Sequence, residues 1–485
     1  MLNRFAAVAA AGLLGGWSPL AAQSPTPQDS APTTPTFSST VVVTASLEPR
    51  PERDLPAVAD VVDAAEIERR QATEVVELLR ALAGVAVTQS GSPGKVASLF
   101  VRGASSAQTL VVLDGVALND PVLGAFDWAA LSTEGLERVE VVRGPFSALW
   151  GSGAVGGVVQ LVTRTTGARS VSARLETGSN AYRRAALAAA APFGPVALAL
   201  AGHVRRGEGE LDNDFFDGEG GQLRADWRPL EGLRIGLSGR AGEARIGIPY
   251  DFTGAPSPAR EQRSSSVLLA LPIDWERGDW SVEARLARSE GALDLEDGND
   301  PFAASAIDTE RDQARAVATW SGSESFWVAG GAERGREVAS TSSSFGPGLE
   351  RARQTTEALF AQAGWAHRRV RVEGGMRRDD HSAFGAETSL RGGAVVALSG
   401  RARLRASYGE SFRAPALGDL YFPFFGNPEL EPETAKSFEL GFEGELGALS
   451  ARLAAFRTDF EDLIQFDLVS FEPSNLGRAR ARGVE

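Results

Sequence analysis

From about residue 170 onward the chain alternates apolar and polar residues, and the pattern returns many times. Trp280-Ser-Val-Glu-Ala-Arg-Leu-Ala-Arg288 sets Trp, Val, Ala and Leu on one face and Ser, Glu and Arg on most of the other, and Leu233-Arg-Ile-Gly-Leu-Ser and Val370-Arg-Val-Glu repeat the rhythm. Neighbouring side chains of a strand point to opposite faces, so this period predicts strands with one apolar face. A soluble sandwich alternates in the same way.

Three further features favour a transmembrane barrel. Connections alternate between short and long. Pro192–Pro195, Arg228–Gly232, Glu276–Asp279 and Ser321–Ser325 are short and expected on the periplasmic side, whereas 206–221, 246–265 and 291–310 are long and expected outside the cell. Trp227, Trp275, Trp280, Trp320, Trp327 and Trp365 all lie beside short turns, as one interfacial girdle requires. Third, the N-terminus reads as an export signal. Arg4 precedes an apolar run from Phe5 to Gly16, with Ala21 and Ala22 marking a cleavage site, so residues 1–22 are expected to be removed. No later run of about 18 or more apolar residues argues for a spanning helix.

Between signal and barrel lie three segments. Residues 23–39 are rich in Pro, Ser and Thr and predict an extended linker. Thr40, Val41, Val42, Val43, Thr44, Ala45 and Ser46 form a β-prone heptapeptide, either a strand that adds to another protein's sheet edge or the first strand of the next domain. Residues 54–166 read as a compact α+β domain. Ala64–Leu82 carries a helical pattern that Gly84 stops, and strands are expected at Leu99–Arg102, Leu110–Leu113, Val139–Arg143 and Val158–Thr163 between glycine turns. The barrel segment, 170–485, has room for about 15 or 16 strands.

Composition excludes several functions. A net charge of −14 is wrong for a nucleic-acid binder, which needs a basic face. Cysteine is absent, the three histidines (His203, His367, His381) stand beside no nucleophile, and Gly151-Ser-Gly-Ala-Val-Gly-Gly157 lacks the lysine of a phosphate-binding loop. No enzyme is expected and no resident cofactor is indicated. A passive porin needs neither a folded N-terminal domain nor a protruding strand, and a secreted adhesin needs no tryptophan girdle.

The segment Glu210–Glu219 concentrates carboxylates in what the turn parity makes an outer loop, and Tyr250-Asp251 lies in the next one. Clustered hard oxygens suit Ca²⁺, and solvated surface charge is the alternative.

Several long motifs in order resemble the TonB-dependent outer-membrane receptors. Residues 40–46 resemble the family's TonB box. Leu99-Phe-Val-Arg-Gly103, Val111-Val-Leu-Asp-Gly-Val116, Glu137-Arg-Val-Glu-Val-Val-Arg-Gly-Pro145 and Trp150-Gly-Ser-Gly-Ala-Val-Gly-Gly-Val158 resemble its plug. Ser411-Phe-Arg-Ala-Pro415, Asn427-Pro-Glu-Leu430 and Ala479-Arg-Ala-Arg-Gly-Val-Glu485 resemble its barrel. The resemblance implies an all-β transmembrane barrel of 22 strands with the N-terminal α+β plug in its lumen. The chain stops at Glu485 inside an alternating segment, so a C-terminally truncated barrel is the expectation.

The box Val42-Val-Thr-Ala-Ser46, the run Thr88-Gln-Ser-Gly-Ser-Pro-Gly94, and Gly418-Asp-Leu-Tyr-Phe followed by Phe425-Gly-Asn-Pro are similar to the vitamin B12 (cobalamin) receptors within the family. That implies energised uptake of cobalamin, with a ferric siderophore as the alternative ligand. A TonB-type periplasmic protein would pull on residues 40–46. Heme is disfavoured, because no histidine lies between Phe412 and Leu430. Ligand contacts carry over to Val96, Ser98, Ser105, Leu123 and Gly124, on plug loops 91–98, 104–107 and 122–124. Calcium ligation carries over to Glu210, Asp212, Asp214 and Asp251, with Tyr250 beside them. Arg102 and Arg143 are expected either to latch the plug to barrel carboxylates, with Glu439 and Glu443 as partners, or to be ordinary plug-surface charges.

Overall fold

A computed structural model describes residues 41–485, apart from 43, 44, 93, 130, 166, 167, 252, 324, 345, 447 and 448. The expected signal segment 1–22, the linker 23–39, and Thr40, Val43 and Thr44 of the heptapeptide lie outside the described residues.

The N-terminal domain is built on a five-stranded sheet in the order Ala59–Asp63, Leu136–Arg143, Gly157–Thr163, Thr109–Leu113, Val116–Ala117. Neighbours are antiparallel except Thr109–Leu113 and Gly157–Thr163, which run parallel. Both faces are apolar, and alternate residues of one strand feed different cores. Val111, Leu113, Val139, Val141, Val159 and Leu161 pack with Ile67, Val75, Leu78 and Leu79 of the helices. Leu110, Val112, Val142 and Val158 pack with Leu55, Phe146 and Leu149. Each such side chain removed from water contributes roughly 1.5–3 kcal/mol before chain entropy is counted.

The single helix expected over 64–82 is two helices, Ala64–Arg70 and Val75–Arg80. Asp63 caps the first by accepting from the Glu66 N–H at 2.8 Å. Gln71 then turns left-handed at φ 52° and ends it. Glu77 accepts from the Thr73 N–H at 3.0 Å, restarting the chain in a new direction. The helical period hides this break, because Ile67 and Val75 still reach the same core.

The C-terminal part is one sheet of sixteen antiparallel strands in chain order, from Ser170–Thr177 to Glu472–Val484. These two strands are its edges and do not pair with each other, so the sheet is not closed. The alternation is realised in strand Val370–His381, where Val370, Val372 and Met376 are exposed outward while Glu373, Arg377, Asp379 and His381 are buried on the inner face. Among the described residues no helix is long and apolar enough to cross a membrane.

The turn parity appears in the connections. Strands meet tightly across 194–195, 231–232 and 278–279, and again between Ser323 and Phe326. The opposite end carries 209–214, 248–259, 298–304 and 414–432. The outer loops are shorter than expected because the strands run further than their composition suggests. Phe215–Glu219, read as part of an acidic loop, lies in strand Phe215–Leu230. The girdle also needs correction. Trp227, Trp275, Trp280 and Trp365 are exposed beside the short turns, but Trp327 is buried on the inner face, with Phe326 and Val328 facing outward instead. A period of two gives adjacent aromatics opposite faces.

The N-terminal domain packs against the inner face of the sheet through both apolar clusters and polar groups. Barrel arginines donate to its backbone carbonyls: Arg311 to Ala117 (2.9 Å) and Asn119 (2.7 Å), Arg315 to Leu149 (3.0 Å), and Arg405 to Ala57 (2.9 Å).

Candidate functional site

The plug presents different surfaces to the two ends of the barrel. At the short-turn end, Val41–Val42 pair antiparallel with Arg50–Pro51. Ala45 and Ser46 are buried, and the Leu47 N–H donates to Gln362 Oε1 at 2.8 Å. Ser321 Oγ and Glu48 Oε1 are 2.7 Å apart. The Arg50 guanidinium lies 5.2 Å from the centre of the Trp327 ring. The described part of the heptapeptide is therefore clasped at the short-turn mouth and does not protrude as a free strand.

At the long-loop end, the loops expected to meet a ligand form the plug's apex. Asn119 organises one of them. Its side chain donates to Thr109 O (3.0 Å) and Gly124 O (2.9 Å) and accepts from the Val111 N–H (2.8 Å). Asp120 Oδ1 accepts from the N–H groups of Val122 (2.7 Å) and Leu123 (2.8 Å), and Gly124 takes the left-handed conformation at φ +73°. This turn thrusts Leu123 outward at 55% exposure. Burial raises the Asp120 pKa above the usual carboxylate range, against the opposing pull of the Leu123 and Val122 N–H groups.

A second loop is closed by the Ser90 N–H donating to Val96 O (3.0 Å), and it exposes Val96. In the third, Gln108 Oε1 accepts from the Ser105 N–H (2.9 Å), while Gln108 Nε2 donates to Glu433 of the barrel (2.8 Å). Ser105 is exposed and Ser98 half-buried.

The outer loop 414–432 bends onto this apex. Its short helix Leu417–Tyr421 donates backbone N–H groups to Pro121 O (2.9 Å) and Val122 O (3.2 Å). Beneath it a cavity of about 160 Å³ opens between plug and wall, bordered by Asn119, Asp120, Gly124 and Trp150 on the plug and by Arg311, Arg377 and Arg413 on the wall. Each arginine faces a carboxylate. Arg311 pairs with Glu337 (2.6 Å), Arg377 with Glu333 (3.0 Å) and Asp379 (2.9 Å), and Arg413 with Glu433 (2.9 Å) and Asp419 (3.3 Å). Of the five expected ligand positions only Gly124 borders this cavity, while Val96, Ser105 and Leu123 are exposed outside it and Ser98 is half-buried in strand Ala97–Val101.

The arginine positions divide. Arg102, at φ 51°, reaches Glu439 at 2.5 Å and forks onto Glu485 with two bonds of 3.0 Å. Arg143 instead pairs with Asp60 on its own domain and stands 3.5 Å from Glu485, while Glu443 is taken by Arg405 of the adjacent strand. Arg405 and Glu443 are diagonal neighbours on paired strands, with Gly441 opposite Arg405 and Arg403 opposite Glu443, so their pair needs no plug residue.

The acidic loop does not gather around one point. Among the described residues no three of His, Asp or Glu are placed to hold a metal ion. Asp214 is buried against Lys95 (3.1 Å) and Ser92 Oγ (2.9 Å). Asp251 is occupied by its own turn, accepting from the Thr253 N–H (2.8 Å) and the Ala255 N–H (2.9 Å). Glu210, Asp212 and Tyr250 are exposed. As arranged, these residues do not fit calcium, which takes six to eight oxygens.

Sequence reading did not single out Lys95, Asn119, Asp120 and Gln108. The run Asn119-Asp120-Pro121 is turn chemistry and could have marked the first of the apex loops.

Comparison with known proteins agrees with this architecture. Residues 173–485 match the family model described as TonB dependent receptor-like, beta-barrel, and residues 51–158 match that of the TonB-dependent Receptor Plug Domain. The vitamin B12 transporter BtuB of Vibrio vulnificus (strain YJ016) is 27% identical over 460 residues, which covers 92% of this chain and 75% of that protein. Among solved structures, the siderophore receptor PirA from Pseudomonas aeruginosa superposes with a TM-score of 0.70 at 20% identity, covering 88% of this chain and 80% of the other. The siderophore receptor PiuA from Acinetobacter baumannii does so with a TM-score of 0.72 at 17% identity, covering 93% and 79%. At these identities the structural likeness speaks for the fold alone.

Proposed function

The chain belongs to the TonB-dependent receptor family of outer-membrane transporters, and on that premise we propose that it imports cobalamin. The observation that carries this reading is the charge balance at the apex. The arginines that line the cavity are each paired with a carboxylate, and the plug loops at the same end expose Val96, Leu123 and Ser105. Such a floor suits a large ligand that offers apolar edges and amide hydrogen bonds and carries little net charge, which is the chemistry of a corrinoid. The likeness to a curated vitamin B12 transporter over most of the chain supports the same reading.

A ferric siderophore is the second reading. Arg311, Arg377 and Arg413 favour it, because an anionic chelate could draw them from their present partners. In either case a TonB-type periplasmic protein acts on residues 40–46, whose β-prone sequence suits pairing with a sheet edge once it is released from its clasp.

Titration of the purified receptor with cyanocobalamin and with ferric siderophores separates the two. Cobalamin binding is expected, and Ser98→Glu or Ser105→Glu is expected to weaken it at least about tenfold, near 1.4 kcal/mol. Binding of ferric siderophores alone overturns the cobalamin reading.

A further inference from the structure

We propose that the ammonium group of Lys95 is a built-in cation that holds the outer loops 209–214 and 248–259 onto the plug, so that their order needs no metal ion. The sequence contains two lysines, Lys95 and Lys436. Lys95 sits on the apex loop and points into the junction of two barrel loops. Its Nζ donates to Phe215 O (2.9 Å) and Gly247 O (2.5 Å) and pairs with Asp214 Oδ1 (3.1 Å). Three donors meet three acceptors, so the ammonium is fully used. The side chains of Lys95 and Asp214 are 4% and 6% exposed, and Ser92 Oγ from the same plug loop adds a bond to Asp214 at 2.9 Å. Burial lowers the Lys95 pKa from its ordinary value, and Asp214 opposes that shift.

A second brace joins the two loops to each other. Asn213, left-handed at φ 57°, directs Nδ2 at Ile248 O (3.1 Å), Ser257 O (2.9 Å) and Arg260 O (2.8 Å). The ammonium thus stands where carbonyls and a carboxylate converge, the arrangement in which a metal would otherwise act, and its charge repels a divalent ion from that point. The tether is anchored on the plug. A displacement of loop 91–96 must therefore release both outer loops together, which makes Lys95 a positioning residue for the ligand-facing mouth. The inference is independent of which ligand the receptor carries.

The chain has no cysteine, so Leu211→Cys, at an exposed position in the first loop, gives one thiol for a nitroxide label on the full receptor. In the otherwise unaltered chain the mobile fraction of the label should be the same in EDTA and in millimolar calcium. Lys95→Met and Asp214→Asn should each raise it about tenfold or more, because the first leaves buried oxygens without a donor and the second leaves a buried ammonium without its counter-charge. The double variant should be no more mobile than Lys95→Met alone, since Asp214 acts through the ammonium. Should Lys95→Met fail to insert, Asp214→Asn leaves the plug unchanged and reads the same contact. Calcium-dependent ordering of the unaltered loop, unchanged mobility in the single variants, or additive effects would each overturn the proposal.

Discussion

The Leu47 backbone N–H donates to Gln362 Oε1 at 2.8 Å, which fastens the chain just after residues 40–46 to the inner wall near the short-turn end. The same oxygen lies 3.4 Å from Ser46 Oγ, so one side chain holds two consecutive residues. Gln362→Leu removes the acceptor and leaves a half-buried N–H without its partner, at a cost of about 1 kcal/mol. Hydrogen exchange over residues 45–48 should accelerate accordingly while exchange in the plug sheet stays constant. Unaltered exchange at Leu47 would show that the clasp is held elsewhere.

Arg102 ties the plug to the wall through Glu439 and Glu485, and its removal should cost more than removal of the Arg102–Glu439 pair. Arg102→Met leaves Glu439 buried without a cation, and breaking a buried pair costs about 3–5 kcal/mol. Arg102→Met with Glu439→Leu should recover much of that loss. Denaturant-induced release of the plug, followed in all three variants, measures the coupling. Strictly additive losses would mean that Arg102 acts through Glu485 alone.

Asp120 makes apex stability depend on pH in a defined sense. Its pKa is raised in the folded state, chiefly by burial. A raised value means that stability is greatest below the ordinary carboxylate pKa and declines as pH rises through the folded value. Asp127 shifts in the same direction for the same reason, so the two contribute together. Asp120→Asn keeps an oxygen for the Val122 and Leu123 N–H groups and removes the charge. Exchange protection at residues 122–124 should then depend less on pH and be no weaker at neutrality. A loss of protection at neutrality would assign the carboxylate an attractive role that burial alone does not give it.

Much of the fold is legible because membrane strands write their environment into every second residue. The alternation, the short turns and the strand capacity of residues 170–485 all follow from local sequence. What escaped is set by register or by distance. Trp327 turns inward because a single residue's shift changes its face. The break at Gln71 is invisible to a helical period that both helices share. Lys95 and Asp214 are far apart in the chain, and nothing local to either predicts their meeting. The acidic run 210–219 suggested a loop metal site, yet half of it is strand and its buried aspartate is matched by the plug. Glu443 was legible as a wall carboxylate, but its partner is Arg405, a diagonal neighbour on the adjacent strand.

The central claim is that this receptor carries cobalamin inward by a pull on residues 40–46. It is tested most directly by accumulation of radiolabelled cobalamin in energised cells, compared between the unaltered receptor and Val43→Pro. Proline removes a backbone donor and blocks strand pairing with a partner. The account predicts accumulation well above surface binding in the unaltered receptor, and surface binding without accumulation in the variant. Unchanged accumulation in Val43→Pro, or no cobalamin binding by a receptor that takes up ferric siderophores, would contradict it.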